Sequence, residues 1–341
     1  MRLSTFILKR ASYVVLTLFG LSILVFIIAR VLPGDPARAA AGGNAPQWAV
    51  EALAKQLGLD KPLYMQYLIW LWDVFHGQLG YSTTTRTDIS ADLIQYLPAS
   101  LELIALAAIF QIVGSLILGI IAGRYSYKAP DNVVRVISYI GISIPAFVLA
   151  IMLQLVFSWY LKIFPTTGEL SVGMAAPPRV TGFVTIDAII GGQFGVLANA
   201  LWHMVLPATA LCVGAMCQDA RIIRSGMVEN KDKDYIMMAR AQGLPDRTVT
   251  LKYQLKPSMI PAVTVMGLDI AALMANAFLV ETVFNWPGFA NLGLTMMLNK
   301  DLNGIVALVL VIGIMYAISN LIVDVIVAYL DPRIRLMERG Q

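Results

Sequence analysis

Charge is what this chain of 341 residues has least of: Asp, Glu, Lys and Arg make up 13% of it, against roughly 25% in a soluble globular domain. So few charges cannot cover an ordinary water-exposed surface, which excludes a soluble enzyme or binding module. The formal net charge of +4 gives no reason to expect a nucleic-acid partner. Only two cysteines and two histidines occur. Cys212 and Cys217 are spaced to lie on different faces of one helix and read as buried thiols. His76 and His203 have no second ligand at metal spacing, so no metal site is expected and no cofactor bound by the chain itself. Also missing are the phosphate-cradling Gly-x-x-x-x-Gly-Lys-Ser/Thr loop, Gly-x-Ser-x-Gly and His-Glu-x-x-His. Without the first, any ATP-driven work needs another polypeptide; without the others, a membrane hydrolase has neither nucleophile nor base, and the chain reads as a non-enzyme.

What is present is hydrocarbon. Hydrophobic residues make up 58% and the mean hydropathy is +0.72, the composition of an integral membrane protein. A helix crossing a hydrocarbon core of about 30 Å needs about 20 apolar residues. Six stretches qualify, residues 11–29, 99–122, 136–163, 204–223, 260–283 and 305–329, which predicts an all-α membrane protein with six transmembrane helices. The first run follows Arg2, Lys9 and Arg10 but is too long for the apolar part of a secretory signal and meets no small-residue cleavage site, so it reads as an uncleaved helix. Most of the 25 basic residues fall on one side if the N-terminus is cytoplasmic. By the positive-inside rule both termini are then cytoplasmic in a multi-pass inner-membrane protein.

These spans divide the chain into residues 1–30 (the cytoplasmic end and first span), an extracytoplasmic segment 31–98, and a core 99–341 whose cytoplasmic loop is 224–259. The segment 31–98 carries Trp48, Tyr64, Tyr67, Trp70, Trp72 and Phe75, with helical apolar spacing over 48–57 and 63–75. Aromatic amphipathic helices lie at membrane interfaces, so an interfacial collar is expected, and a docking surface for an external partner is compatible with it. Residues 164–203 are rich in Gly and Pro and read as loops with short elements.

Between the fourth and fifth spans stands the basic, helix-forming sequence Asp234-Tyr235-Ile236-Met237-Met238-Ala239-Arg240-Ala241-Gln242-Gly243-Leu244. It resembles the signature (EAA) loop of binding-protein-dependent ABC importer permeases, in the Asp-Tyr-Ile-x-x-Ala-Arg-Ala-x-Gly-Leu form of the dipeptide/oligopeptide/nickel family. Other stations of that family follow in order: Leu32-Pro33-Gly34-Asp35-Pro36, Leu57-Gly58-Leu59-Asp60-Lys61-Pro62, Gly77-x-Leu79-Gly80-Tyr81-Ser82 and Gly141-x-Ser143-x-Pro145-x-Phe147. After these come Glu281-Thr282-Val283-Phe284-x-Trp286-Pro287-Gly288, Asn320-Leu321-Ile322-Val323-Asp324 and Asp331-Pro332-Arg333-Ile334-Arg335.

The long segment after the first span is similar to that of the B-type, first permease subunit, and 182–187 resembles the dipeptide branch. The resemblance implies a type I ABC importer permease fold and transport by alternating access. It implies as partners a second homologous permease, two ATPase subunits that hold ATP and Mg, and an extracytoplasmic solute-binding protein, besides membrane lipid. A coupling helix would involve Asp234, Tyr235, Ala239, Arg240, Ala241, Gly243 and Leu244, with Gly243 ending it as a C-terminal cap. Small Ala239 and Ala241 would permit close approach of the ATPase, and Arg240 would pair with one of its carboxylates.

Ionisable groups inside spans are costly. Glu102 and Glu281, near the outer ends of the second and fifth spans, read as outer-gate or structural residues. Asp324 reads as a packing contact with a polar residue on a neighbouring span. Asp269 lies near mid-membrane by the rise of about 1.5 Å per residue. It either lines the translocation path with Ser143 and Pro145, contacting a cationic substrate group, or makes a buried contact with the second permease. Peptides are the first choice of cargo; nickel, metal chelates, glutathione-like molecules and oligosaccharides stay open, as does the rival class of a self-sufficient secondary transporter, whose inverted repeats are not found here.

Overall fold

A backbone group inside hydrocarbon has no water to bond, so each crossing segment closes its own hydrogen bonds and the apolar runs form helices. The structure, a computed structural model, describes residues 3–31, 37–38, 45–56 and 58–330. The first helices are α1 (Leu3–Val31), α2 (Gln47–Gln56), α3 (Leu63–Phe75), α4 (Ile89–Arg124), α5 (Ala129–Ser143) and α6 (Ala146–Leu153), which runs on as the π-helical Gln154–Tyr160. Then follow α7 (Val184–Ile190), α8 (Phe194–Asn230), α9 (Asp234–Ala241), α10 (Lys256–Val283), α11 (Phe289–Leu298) and α12 (Leu302–Leu330). The motifs at 32–36 and 331–335, and Leu57, lie outside the described residues.

Among the described residues five helices are long and apolar enough to cross a membrane, and the α5–α6 pair makes a sixth, bent span. The bend of 107° is far sharper than the kink that Pro145, inside the apolar run 136–163, leads one to expect of a membrane helix. Pro145 has no N–H to donate and forces the preceding residue out of the helical region; Ile144 accordingly has ψ 121°. Pro207 and Pro261, by contrast, stay inside α8 and α10. Two boundaries also move. The helix α4 starts at Ile89, inside the segment assigned outside the core, and α8 covers both the last part of 164–203 and the first part of the loop 224–259. Hydropathy marks where hydrocarbon begins, and helical hydrogen bonding continues past it.

The hub is α8, which packs on α4, α5, α6, α7 and α10. Its closest neighbour is α4, because Gly119 and Gly123, one turn apart, leave no side chain between the backbones. A Cβ at either would stand 2.7 Å from Ile223 or Met227 respectively, the small-residue packing common between membrane helices. Leu103, Met204, Leu211, Leu273, Trp286 and Phe289 fill the main apolar core. At the edge α1 packs on α12, which packs on α10, and Arg10 of α1 pairs with Asp324 of α12 at 3.3 Å. The collar helix α3 lies against both. Its Tyr67 hydroxyl is 2.7 Å from Ser22 Oγ and its ring meets Phe26 edge-on at 5.3 Å, while Trp70 and Val74 pack on Val25, Val306 and Leu310. Trp72 and Phe75 stay exposed, as an interfacial helix requires.

Candidate functional site

Eight residues are too few to make a stable helix alone, since isolated helices shorter than about 12–15 residues are marginal in water; α9 (Asp234–Ala241) therefore depends on what it touches. Asp234 in its first turn and Arg240 in its last match the helix dipole. Its end is a Schellman motif: Gly243 N–H donates to Arg240 O at 2.9 Å and Leu244 N–H to Ala239 O at 3.3 Å. Gly243 has φ 75°, a conformation that glycine adopts without strain. Leu244 then folds back with Tyr253 onto Ile236, Ala239 and Val249. Ile236 and Ala239, three residues apart, thus form the inward stripe.

The outward face carries exposed Asp234, Tyr235, Met237, Met238, Arg240 and Ala241. Of the two small residues expected to admit a partner, Ala241 is on this face, whereas Ala239 is buried against the chain's own Val249. The sequence reading passed over Met237 and Met238. Two exposed methionines on an otherwise polar short helix give a polarizable, adaptable contact surface.

Behind α9 a helical turn, Asp246–Thr248, and a π-helical stretch, Val249–Leu255, run without a break into α10. Hydrogen bonds lock this root to the end of α8. Tyr235 Oη donates to Asn230 Oδ1 at 2.7 Å, Asn230 Nδ2 to Ser258 Oγ at 3.1 Å, and Gln254 Nε2 to Met227 O at 2.7 Å. Burial, with the Glu229 charge nearby, pushes the Tyr235 phenol up, so it remains a neutral donor. α9 is therefore tied by hydrogen bonds to the end of α8 and, through Asn230, to the start of α10.

At the opposite end of the bundle Glu281 is fully buried and holds a structural knot. Its carboxylate accepts from Ser100 Oγ at 2.6 Å and from Asn291 N–H at 2.9 Å; Trp286 Nε1 donates to Ala99 O at 3.0 Å. A side chain at Gly288 would overlap the Glu281 carboxylate, which accounts for the glycine there. Glu102 accepts from Thr185 N–H at 2.8 Å and Oγ1 at 2.6 Å, tying the start of α7 to α4. Both glutamates thus join elements. Asp187 closes the same loop: burial raises its carboxyl, but the hydrogen bonds from Thr181, Val180 and Gly182 outweigh this and hold it below the ordinary carboxylate range.

Beside Glu102 lies Glu169. Among the described residues Glu169 Oε1 and Glu102 Oε2 are shielded from water and have no hydrogen-bond partner. Burial and the adjacent Glu102 push Glu169 up to about 7.

Mid-membrane, Asp269 of α10 is half-buried, with Oδ2 shielded and unpartnered among the described residues. It lies within electrostatic range of the buried Asp219 of α8, which accepts from Gln111 Nε2 at 2.8 Å. The sequence reading missed Asp219; a charge within the apolar run 204–223 was the signal. Ser143 and Pro145 are exposed at the α5–α6 bend, and the Ser143 hydroxyl donates to Tyr139 O at 2.7 Å. No hydrogen bond or ion pair among the described residues joins them to Asp269.

The pattern that defines the binding-protein-dependent transport system inner membrane component matches residues 115–336, and that of its N-terminal part matches residues 3–104. The probable D,D-dipeptide transport system permease protein DdpB of Escherichia coli (strain K12) is 38% identical over 326 residues, covering 96% of each chain. The dipeptide transport system permease protein DppB of the same strain is 35% identical, covering 97% of this chain and 98% of its own. The glutathione transport system permease protein GsiC of Escherichia coli O6:H1 is 33% identical, again covering 97% and 98%. With bent and straight spans around one hub, a capped helix at the root of α10, and matched patterns along nearly its whole length, the chain belongs to the binding-protein-dependent transport system inner membrane components, the permeases of ABC importers.

Proposed function

We propose that this chain is the B-type permease subunit of an ATP-driven importer that moves dipeptides or similarly short peptides across the cytoplasmic membrane, with α9 as the helix an ATPase subunit grips. The observation that carries this reading is the seating of α9: Ile236 and Ala239 hold it to the root of α10, and its outer face is left to Tyr235, Met237, Met238 and Arg240. ATP and Mg belong in this reading to two separate ATPase subunits, which the lack of a nucleotide-binding loop in this sequence supports. A second, homologous permease completes the pore, and an extracytoplasmic binding protein delivers the cargo. The three relatives are named for D,D-dipeptides, dipeptides and glutathione, all short peptides, which supports peptides over nickel or sugars.

The start of α1 and the end of α12, joined by the Arg10–Asp324 pair, are taken to face the cytoplasm together with α9. Movement of the ATPase on binding ATP rocks α8 and α10 together through the Tyr235, Asn230 and Ser258 hydrogen bonds, a rigid-body switch between inward- and outward-open packing. Asp269 is assigned to the path because it is a carboxylate only half-buried on α10 and its Oδ2 accepts no hydrogen bond from the described residues.

The test is substrate-stimulated ATP hydrolysis and uptake by the complete complex in proteoliposomes. Gly243→Pro removes the N–H donated to Arg240 O and cannot reach φ 75°; Arg240→Glu reverses one outward charge. With assembly intact, Gly243→Pro should abolish stimulated hydrolysis and uptake together. Arg240→Glu should reduce them about tenfold or more, the loss of one charge-assisted hydrogen bond. Uptake at the native rate in both variants would remove α9 as the coupler and favour a carrier driven by something other than ATP.

A further inference from the structure

At the α9 end of the bundle, between the first turns of α5 and the last turns of α8, lies a cavity of about 660 Å³ bordered by Tyr127, Arg135, Tyr139, Gln218, Arg221 and Arg224. No carboxylate lines it. Arg224 is already engaged: its Nε and Nη2 donate to Asp131 at 2.5 and 2.7 Å. Arg135 and Arg221 make no ion pair among the described residues. Two guanidinium groups therefore face the cavity in excess of the available acid, and the Arg221 guanidinium is held 5.3 Å from the Tyr139 ring centroid.

The wall of the cavity is also strained. Tyr127 has φ 63°, a left-handed conformation that costs a bulky residue free energy and that clusters at ligand clamps. It persists because its N–H donates to Asp131 Oδ2 at 2.7 Å, and its ring then lies 5.8 Å from the Arg224 guanidinium. The Asp131–Arg224 pair thus fixes the rim; Arg135 lies within electrostatic range of the same carboxylate, but neither Arg135 nor Arg221 forms an ion pair among the described residues. Immediately along α5, Val136, Ile137 and Ile140 are exposed and apolar, so the cavity sits where hydrocarbon gives way to polar groups. Basic pockets between spans at that depth suit phosphate headgroups, and arginine is the side chain that matches a phosphate's oxygens in pairs.

We propose that this cavity is a phosphate-class oxyanion site, with Arg135 and Arg221 holding the oxygens and Tyr127, Gln218 and Ser225 offering further donors. The phosphate comes either from the phosphodiester of a membrane lipid or from solution.

The experiment uses the purified full chain in neutral detergent, with no ATPase and no transport, so its result is separate from the importer reading. Fluorescent phosphatidylglycerol is titrated by anisotropy, then competed with unlabelled phosphatidylglycerol or with inorganic phosphate. Saturable binding is expected, weakened about tenfold by Arg135→Gln and again by Arg221→Gln, the worth of a charge-assisted hydrogen bond each. Competition by the lipid alone assigns the lipid source, and competition by inorganic phosphate the soluble one; either upholds the site. Undiminished binding in the double variant with unchanged thermal unfolding overturns it, as does the absence of saturable binding to the native chain both of the lipid and, by calorimetric titration, of inorganic phosphate. If the double variant does not fold, Arg221→Gln alone decides, because that side chain is exposed and leaves no buried group behind.

Discussion

Glu169 and Glu102 carry the most specific consequence at the scale of single residues. Glu169 is pushed from 4.5 to about 7, so between those values the folded chain holds a proton that the unfolded chain has released. Stability is then highest at the acid side and falls as pH rises through that window. Hydrogen-exchange protection over residues 164–183, the observed rate divided into the intrinsic base-catalysed rate, should fall between pH 5 and pH 7.5, and Glu169→Gln should flatten that fall; an unchanged fall in the variant would assign it to another group. Asp269→Asn should slow uptake of cationic peptides with little effect on neutral ones, and an equal loss for both would remove it from the path. Gly243 was legible in advance because a glycine after an Ala-Arg-Ala run is a recognisable helix stop, and the structure adds the Schellman bonds. Ala239 was not legible in its orientation. Which of two alanines faces inward depends on Val249 and Tyr253 returning from the next turn, a tertiary fact.

Helices were the most readable level and their ends the least. Amphipathic spacing located α2 and α3 closely, because water on one side and hydrocarbon on the other impose the pattern. The ends of α4 and α8 were set by packing beyond the apolar window, and the bend at Pro145 was foreseen as a kink but not as a turn of 107°. Gly119 and Gly123 hold a further prediction. Replacing either with Ala puts a methyl against Ile223 or Met227 and should destabilise the chain by about 1–3 kcal/mol, the usual cost of overpacking. The check is thermal unfolding in detergent; no shift would mean that α4 and α8 do not approach as closely as described. Gly20, inside α1, has open space where its Cβ would be, so Gly20→Ala is the control for the gain in helix propensity without overpacking.

Orientation belongs to the whole molecule. Cys212 and Cys217 are both buried, so single cysteines can be introduced against a silent background. Gln242→Cys should react with a membrane-impermeant maleimide only in inverted vesicles, and Thr83→Cys only from outside intact cells. The reverse pattern would invert the topology inferred from the basic residues. The length of α8 has one more consequence. At 37 residues and about 1.5 Å per residue it is about 55 Å long, well beyond a hydrocarbon core of about 30 Å. The apolar run 204–223 occupies only the middle of that length, so the helix is already hydrogen-bonded where it leaves the apolar layer at either end. Its two ends therefore act as fixed rods that carry the α7 and α9 elements beyond the hydrocarbon, with no coil-to-helix transition between them.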